Sequence, residues 1–264
     1  MNDLRPVLAA MRLAARQAGE VALKHFRPGQ QTSAAVHYKE SGSPVSAADL
    51  AANEAIRKTL AAAFPEIAWF SEETADTPER LKASRLFIVD PIDGTRAYCE
   101  GNPEWAISIA LVESGLPMAA VLDAPALGAG WHAMRGGGVS LDDAKGAFRG
   151  DADAGIKLGG PKPVLDRIAA EFGRAGTATR RMPRIPSLAL RLASVASGRL
   201  DIAVASKDAK DWDIAAADLI LAESGHSLTG FGGARPIYNR PDPVHPPLVA
   251  ASAGLLKRLR AIEF

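Results

Sequence analysis

Apolar residues at Leu4, Val7, Leu8, Met11, Ala14, Ala15, Ala18, Val21 and Ala22 recur at steps of three and four, the spacing that places one face of a helix against a core. A polar stretch rich in Gly, Gln and Ser follows from Arg27 to Ala34, after which His37, Tyr38 and Lys39 read as a short extended piece entering a loop at Ser41, Gly42, Ser43 and Pro44. Ser46, followed three residues later by Asp49, has the form of a capping box for a helix carrying Leu50, Ile56, Leu60 and Phe64. The apolar segment 67–70 ends in the acidic pair Glu72 and Glu73, and the charged segment 74–84 reads as a solvated, helix-compatible surface. Leu86, Phe87, Ile88 and Val89 read as a buried strand. Residues 106–112 and 118–122 are strand-like and flank a turn at Glu113, Ser114 and Gly115, a hairpin extending the same sheet.

Gly128, Gly130, Gly136, Gly137 and Gly138 then punctuate the chain, and a polar stretch runs on to Gly160. This predicts a domain boundary, with residues 1–138 forming an N-terminal α+β domain and 139–264 a C-terminal α/β domain. The second part alternates helix and strand: helices over 163–172 and 187–196, a strand over 200–204, a helix over 213–224 closed by Gly225, a late strand at 248–250 and a basic helix over 254–262. No repeat of fixed period is present.

At 264 residues, 47% apolar, with 31 basic against 30 acidic side chains, the chain has material for a sizeable core and no charge bias toward a nucleic-acid polymer. The single cysteine, Cys99, rules out an internal disulfide framework and reads as a small packing residue. The charged beginning lacks a signal-type apolar run, and the longest apolar run, 105–112, is far shorter than the ~20 residues of a membrane-spanning helix. A cytoplasmic enzyme is the expectation. The five histidines form no close zinc-type pair, and serine-hydrolase, P-loop and dinucleotide-binding motifs are all missing.

The candidate chemistry is acidic. Asp90, Pro91, Ile92, Asp93, Gly94 and Thr95 follow the strand 86–89. Pro91 keeps the backbone out of a helix and Gly94 permits a sharp turn, so two carboxylates emerge together. They repel unless a cation lies between them. Taken alone, such a segment reads better as an acidic turn after a strand. Glu72 with Glu73, and Asp213 at a helix start, are further acidic groups at element ends.

Together these motifs resemble the inositol monophosphatase family of lithium-sensitive, magnesium-dependent phosphatases. The likeness covers Lys39 with Ser43 to Asp49, then Ser71, Glu72 and Glu73, then Asp90 to Thr95, then Trp212, Asp213, Ile214, Ala215 and Ala216. It implies a layered α/β sandwich, with a mainly antiparallel N-terminal sheet beside a smaller C-terminal α/β domain. It implies two or three Mg2+ ions held by Glu72, Asp90, Asp93, Asp213 and the Ile92 carbonyl oxygen, hard oxygen ligands of the type magnesium prefers. Asp49 and Thr95 would hold and activate the attacking water, without a phosphoenzyme. Glu73 would support the metal or base, and Lys39 and the amides of Gly94 and Thr95 would face the phosphate. Asp49 is otherwise a helix cap and Lys39 a solvated loop residue.

Substrate is read from smaller signals. In inositol-specific relatives a glutamate seven residues ahead of the helix-starting aspartate reaches inositol; here that position is Ser206, followed by Lys207. The phrases Ser43 to Asp49, Ser71 to Glu73 and Gly101 to Trp105 look closer to the bacterial 3'(2'),5'-bisphosphate nucleotidases. Arg180, Arg181, Arg184, Lys207 and Lys210 are candidates for a second phosphate, or a solvated surface. The small Gly-Ser step of relatives is Pro186-Ser187 here. The leading expectation is hydrolysis of the 3'-phosphate of adenosine 3',5'-bisphosphate; inositol 1-phosphate, histidinol phosphate and fructose bisphosphate are alternative substrates. A non-catalytic metal-binding regulator is the reading from another class, against which Asp49, Thr95 and Lys39 weigh. Relatives include monomers and dimers, leaving oligomeric state open.

Overall fold

The computed structural model describes residues 3–40, 42–143, 145–148, 155–260 and 262. Of the loop expected at 41–44, Ser41 lies outside the described residues, as do 144 and 149–154 of the polar stretch before Gly160.

Helix α1 (Arg5–Leu23) precedes a hairpin of β1 (Val36–Tyr38) and β2 (Pro44–Ser46), and α2 (Ala47–Ala63) follows directly. Then come β3 (Ala68–Ser71), a 3-10 turn at Pro78–Lys82, β4 (Arg85–Asp93), the short α3 (Thr95–Cys99), β5 (Ala106–Glu113), β6 (Leu116–Ala124), β7 (Ala129–Met134) and β8 (Gly138–Asp143). Strands β3 to β8 form a six-stranded sheet in sequence order, antiparallel except for the β3/β4 pair. Strand β4 is buried on both faces, which explains its continuous apolar run. Leu86 and Ile88 face one core; Phe87 and Val89 face the other. Each such side chain contributes roughly 1.5–3 kcal/mol of burial. Ser114 and Gly115, with φ of 50° and 79°, close the β5/β6 hairpin in two residues, a conformation whose twist matches the flanking strands.

The remaining elements are β9 (Ile156–Gly159), α4 (Lys162–Arg174), β10 (Thr179–Arg181), α5 (Leu188–Ala196), β11 (Ile202–Ala205), β12 (Ala209–Lys210), α6 (Asp211–Glu223), β13 (His226–Gly230), β14 (Val244–His245), β15 (Leu248–Ser252) and α7 (Ala253–Leu259). A five-stranded sheet has the order β10-β9-β11-β15-β13, its first three strands parallel and the rest antiparallel. Strands β12 and β14 pair separately.

The layers follow from the cores. Helices α1 and α2 cover one face of the first sheet, α5 and α6 lie between the two sheets, and α4 and α7 cover the outer face of the second. This is the expected layered α/β sandwich. The middle core unites both sheets, because α6 is apolar nearly all round, with Ile214, Leu219, Ile220 and Leu221 buried. We propose that the chain divides into residues 1–138 and 139–264; β8 continues the first sheet through Asp143.

Two expectations are corrected. The glycine-punctuated segment after 128 is two sheet strands, β7 with Gly130 inside it and β8 starting at Gly138. The charged segment 74–84 is not wholly solvated, since Arg80 within it is buried.

One half-buried acid outside the candidate site sets a pH dependence. Asp218 on α6 accepts a hydrogen bond from the Tyr238 hydroxyl at 3.0 Å. Burial, only partly opposed by that bond, pushes its carboxyl up to about 6. The folded state therefore binds the proton more tightly than the unfolded chain, so stability falls as pH rises from about 4 through 6. Asp218→Asn is expected to remove this slope, raising Tm at pH 8 by a few degrees for a gain of about 1 kcal/mol while matching the wild type near pH 4; thermal melts at both pH values check it.

Candidate active site

The site begins where β4 runs out. Asp90 pairs with Ser108 and Asp93 with Ala106, so β4 carries an extra residue against β5. Pro91, unable to donate to the ladder, falls in this bulge, and the bulge re-aims Asp93. Asp90 Oδ1 accepts the Ile92 N–H at 3.0 Å. Asp213, the third residue of α6, arrives from the second half, its Oδ2 accepting the Lys210 N–H at 2.7 Å across the first turn. One carboxylate oxygen from each of Asp90, Asp93 and Asp213 lies within 4.8 Å of the others.

Such a cluster is costly by itself. Burial, then Glu72, Asp93 and Asp213, holds the Asp90 carboxyl well above the usual range. Burial and then Asp93 do the same to Asp213. For Asp93 burial outweighs the bonds from Ser187 and Ala189, pushing it to about 6. Three carboxyl groups in one another's field, two buried and Asp213 half-buried, all oxygen donors, fit a hard divalent cation and would be relieved by one.

Glu72 stands beside this cluster. Lys39, on the β1–β2 hairpin, donates through Nζ to Glu72 Oε1 at 2.9 Å and to Glu73 Oε1 at 2.7 Å. Although burial by itself would lower it, Lys39 is raised by these two partners and is firmly charged. Glu73 is raised chiefly by burial, against the Lys39 contact. The pair rests on a polar scaffold: Ser71 Oγ accepts the Glu73 N–H at 3.3 Å and donates to Asn53 Oδ1 at 2.7 Å, while Asn53 and Trp69 both donate to Thr74 Oγ1.

Asp49 is a helix cap that also contacts Thr95. Its Oδ2 accepts the Ser46 N–H at 2.8 Å and the Ser46 hydroxyl at 2.6 Å, completing the capping box. Its other oxygen, Oδ1, lies 2.9 Å from Thr95 Oγ1, which is also 3.0 Å from the Ile92 carbonyl oxygen. Burial raises its pKa against the Ser46 and Thr95 hydrogen bonds. Gly94 starts α3 with φ of 93°, a left-handed conformation that favours glycine. A Cβ there would lie in contact with Ser187, at 3.4 Å.

Ser187 and Arg191 were not among the expected site residues. Ser187 caps α5 by accepting the Leu190 N–H at 3.1 Å, and its hydroxyl donates to Asp93 Oδ2, which also accepts the Ala189 N–H at 2.7 Å. A serine ahead of an apolar helical run was the available signal. Arg191, one turn on, is largely buried, its charge disfavoured by burial and Arg184 and favoured by Asp93. Its Nε has no hydrogen-bond partner. Of the other expected cations, Arg181 pairs with Asp166 on α4 and Arg180 also has a partner, while Arg184 and Lys207 are exposed, as is Ser206.

A family model described as the inositol monophosphatase family matches residues 3–263. The chain belongs to the inositol monophosphatase family. It is thus a phosphatase of phosphomonoesters, in a family that is in general magnesium-dependent. It is 29% identical over 245 residues to the 3'(2'),5'-bisphosphate nucleotidase CysQ of Aggregatibacter actinomycetemcomitans, covering 86% of this chain and 85% of that one. It is 33% identical over 238 residues to the inositol-1-monophosphatase of Rhizobium meliloti, covering 88% of both. The crystal structure of the extragenic suppressor protein suhB from Bartonella henselae superposes with a TM-score of 0.78 at 28% identity over 97% of each chain. Among the described residues no helix is long and apolar enough to cross a membrane.

Proposed function

We propose that this family member is a cytoplasmic magnesium-dependent phosphatase that removes the 3'-phosphate of adenosine 3',5'-bisphosphate by direct attack of water. The observation that carries the hydrolytic reading is the Asp49–Thr95 pair, 2.9 Å apart and tied to the Ile92 carbonyl that neighbours Asp93. A protein that merely stored an ion would have no use for a buried base hydrogen-bonded to a hydroxyl beside the carboxylates.

Asp90, Asp93, Asp213 and Glu72, with the Ile92 carbonyl oxygen, would hold the Mg2+. When bound it supplies the positive charge that offsets the phosphate dianion and the alkoxide leaving group. Thr95 Oγ takes a proton from the attacking water as its own moves to Asp49 Oδ1. The water oxygen bonds to phosphorus, the ester P–O bond breaks, and the alkoxide is protonated from solvent. Burial makes Asp49 a stronger base than a solvated aspartate. Ser46 fixes which oxygen faces Thr95. Lys39 is placed to attract the anionic substrate, with Glu73 holding it in place.

Support for a bisphosphate comes from residues of the second half. Ser206, where inositol-specific relatives carry a glutamate, is exposed and offers no carboxylate to a sugar hydroxyl. The guanidinium of Arg191, with Arg184 near it, places a positive group beside Asp93, a type of partner suited to a second phosphate. In a panel of adenosine 3',5'-bisphosphate, inositol 1-phosphate, histidinol phosphate and fructose 1,6-bisphosphate with Mg2+, the nucleotide is expected to give the highest kcat/KM. Arg191→Leu is expected to raise KM for the nucleotide about tenfold, the value of one charge-assisted hydrogen bond, and to change KM for inositol 1-phosphate by less than about twofold. A higher kcat/KM for inositol 1-phosphate overturns the substrate assignment.

A further inference from the structure

Arg80 is a buried arginine in a segment whose sequence reads as surface. Its Nε and Nη2 donate to the two Asp76 carboxylate oxygens at 2.6 and 3.0 Å. Nη1 reaches Asn239 Oδ1 at 2.8 Å and the Arg240 carbonyl at 3.0 Å, and Asn239 Nδ2 donates back to the Arg80 carbonyl at 3.0 Å. The guanidinium carbon lies 4.2 Å from the Phe70 ring centroid, and Phe70 meets Trp212 edge-on at 5.2 Å. Phe70 stands two residues before Glu72; Trp212 immediately precedes Asp213. The Asn239 N–H also donates to Asp211 Oδ2 at 2.8 Å, and Asp211 Oδ1 bonds His245 Nε2 at 2.7 Å, locking the first residue of α6.

We propose that Arg80 is a positioning residue for the cation site: the Arg80–Phe70–Trp212 stack and the Arg80–Asn239–Asp211 hydrogen bonds set the spacing between Glu72 and Asp213. The inference rests on the reading of those two carboxylates as cation ligands. Glu72 follows β3, the edge strand of its sheet, whereas Asp213 is carried by a helix from the other half of the chain. Magnesium demands near-ideal octahedral geometry at about 2.0–2.1 Å, so ligands from separate elements need an independent brace. Arginine suits the task where lysine does not, because its planar fork bonds two partners while its face stacks on a ring. Its charge is matched by Asp76, so its part is geometric.

Two variants test this. Arg80→Lys keeps the charge and loses the fork and the stack. Asn239→Gly keeps the left-handed backbone, φ of 59°, and deletes the amide that clasps Arg80. Mn2+ binding is measured by the electron paramagnetic resonance signal of the free ion, and Mg2+ activation by phosphate release. Each variant is expected to bind Mn2+ about tenfold more weakly, as for loss of a group supporting a metal ligand, and to need correspondingly more Mg2+, with kcat at saturating Mg2+ within about twofold. The double variant loses little more than the weaker single one, since both act along one path. Unchanged Mn2+ affinity in either folded variant, or a fall in kcat with an unchanged Mg2+ requirement, overturns the proposal. Asp213→Asn separates the levels: if it retains Mn2+ binding the ligand reading itself fails, whereas if it loses binding and Arg80→Lys binds like the wild type, the brace alone is wrong.

Discussion

Replacing Asp93 with Asn is expected to lower kcat/KM by about 10²–10⁴, the rate equivalent of losing one charge from a buried ionic cluster at about 3–5 kcal/mol. The reason is visible in how Asp93 is held. Its Oδ2 accepts from the Ser187 hydroxyl and the Ala189 N–H. Both are donors, so an asparagine at this position satisfies them with its carbonyl oxygen and turns its NH2 toward Asp90 and Asp213. A ligand oxygen is thereby exchanged for N–H donors, without a change of shape. The fold should tolerate this well, because one of three mutually repelling acidic groups is neutralised. Steady-state phosphate release together with thermal melts separates the two effects; a variant that retains wild-type turnover would sink the assignment of Asp93.

The second large effect concerns proton transfer. Thr95→Ala removes the hydroxyl that bridges Asp49 Oδ1 and the Ile92 carbonyl, and Asp49→Asn removes the base behind it. Each is expected to reduce kcat by about 10²–10⁴, with Thr95→Ala leaving Mg2+ affinity near that of the wild type. Because the two groups work in series, the double variant should be scarcely slower than the worse single one. Multiplicative losses would show that Thr95 and Asp49 act separately.

Much of the candidate site was legible because its parts lie in contiguous phrases. Asp90 to Thr95 is a strand end, a bulge and a turn within a few residues, and Ser46 with Asp49 is a capping box that also aims a carboxylate. Family resemblance, not periodicity, joined these phrases to Asp213. Ser187 and Arg191 were illegible as site residues because they meet Asp93 only after α5 packs between the sheets. Arg80 was misread for a related reason: a charged segment looks solvated unless its partners, here Asn239 and the Arg240 carbonyl, are known. In the fold, long buried strands such as β4 and β5 stood out. Strands β7 and β8 did not, since glycines at 130 and 138 within them carry turn signals while the strand register is set by pairing. The short β9, β10 and β13 gain their stability from the sheet around them, an arrangement that local pattern does not encode.

Strand β15 lies inside the second sheet, between β11 and β13, although it is the last strand in the chain. During synthesis the first sheet has all of its strands once Asp143 has emerged, but the second waits for residues 248–252 to enter its centre. Contacts of such long sequence separation are slow to form. Asp93 and Ser187, 94 residues apart, likewise meet only after most of the chain is available. Completion of the site thus lags the synthesis of its first acidic groups: Asp90 and Asp93 stand without Ser187 and Asp213 until those residues have emerged, and a chain cut short before β15 loses the middle of a sheet rather than its margin.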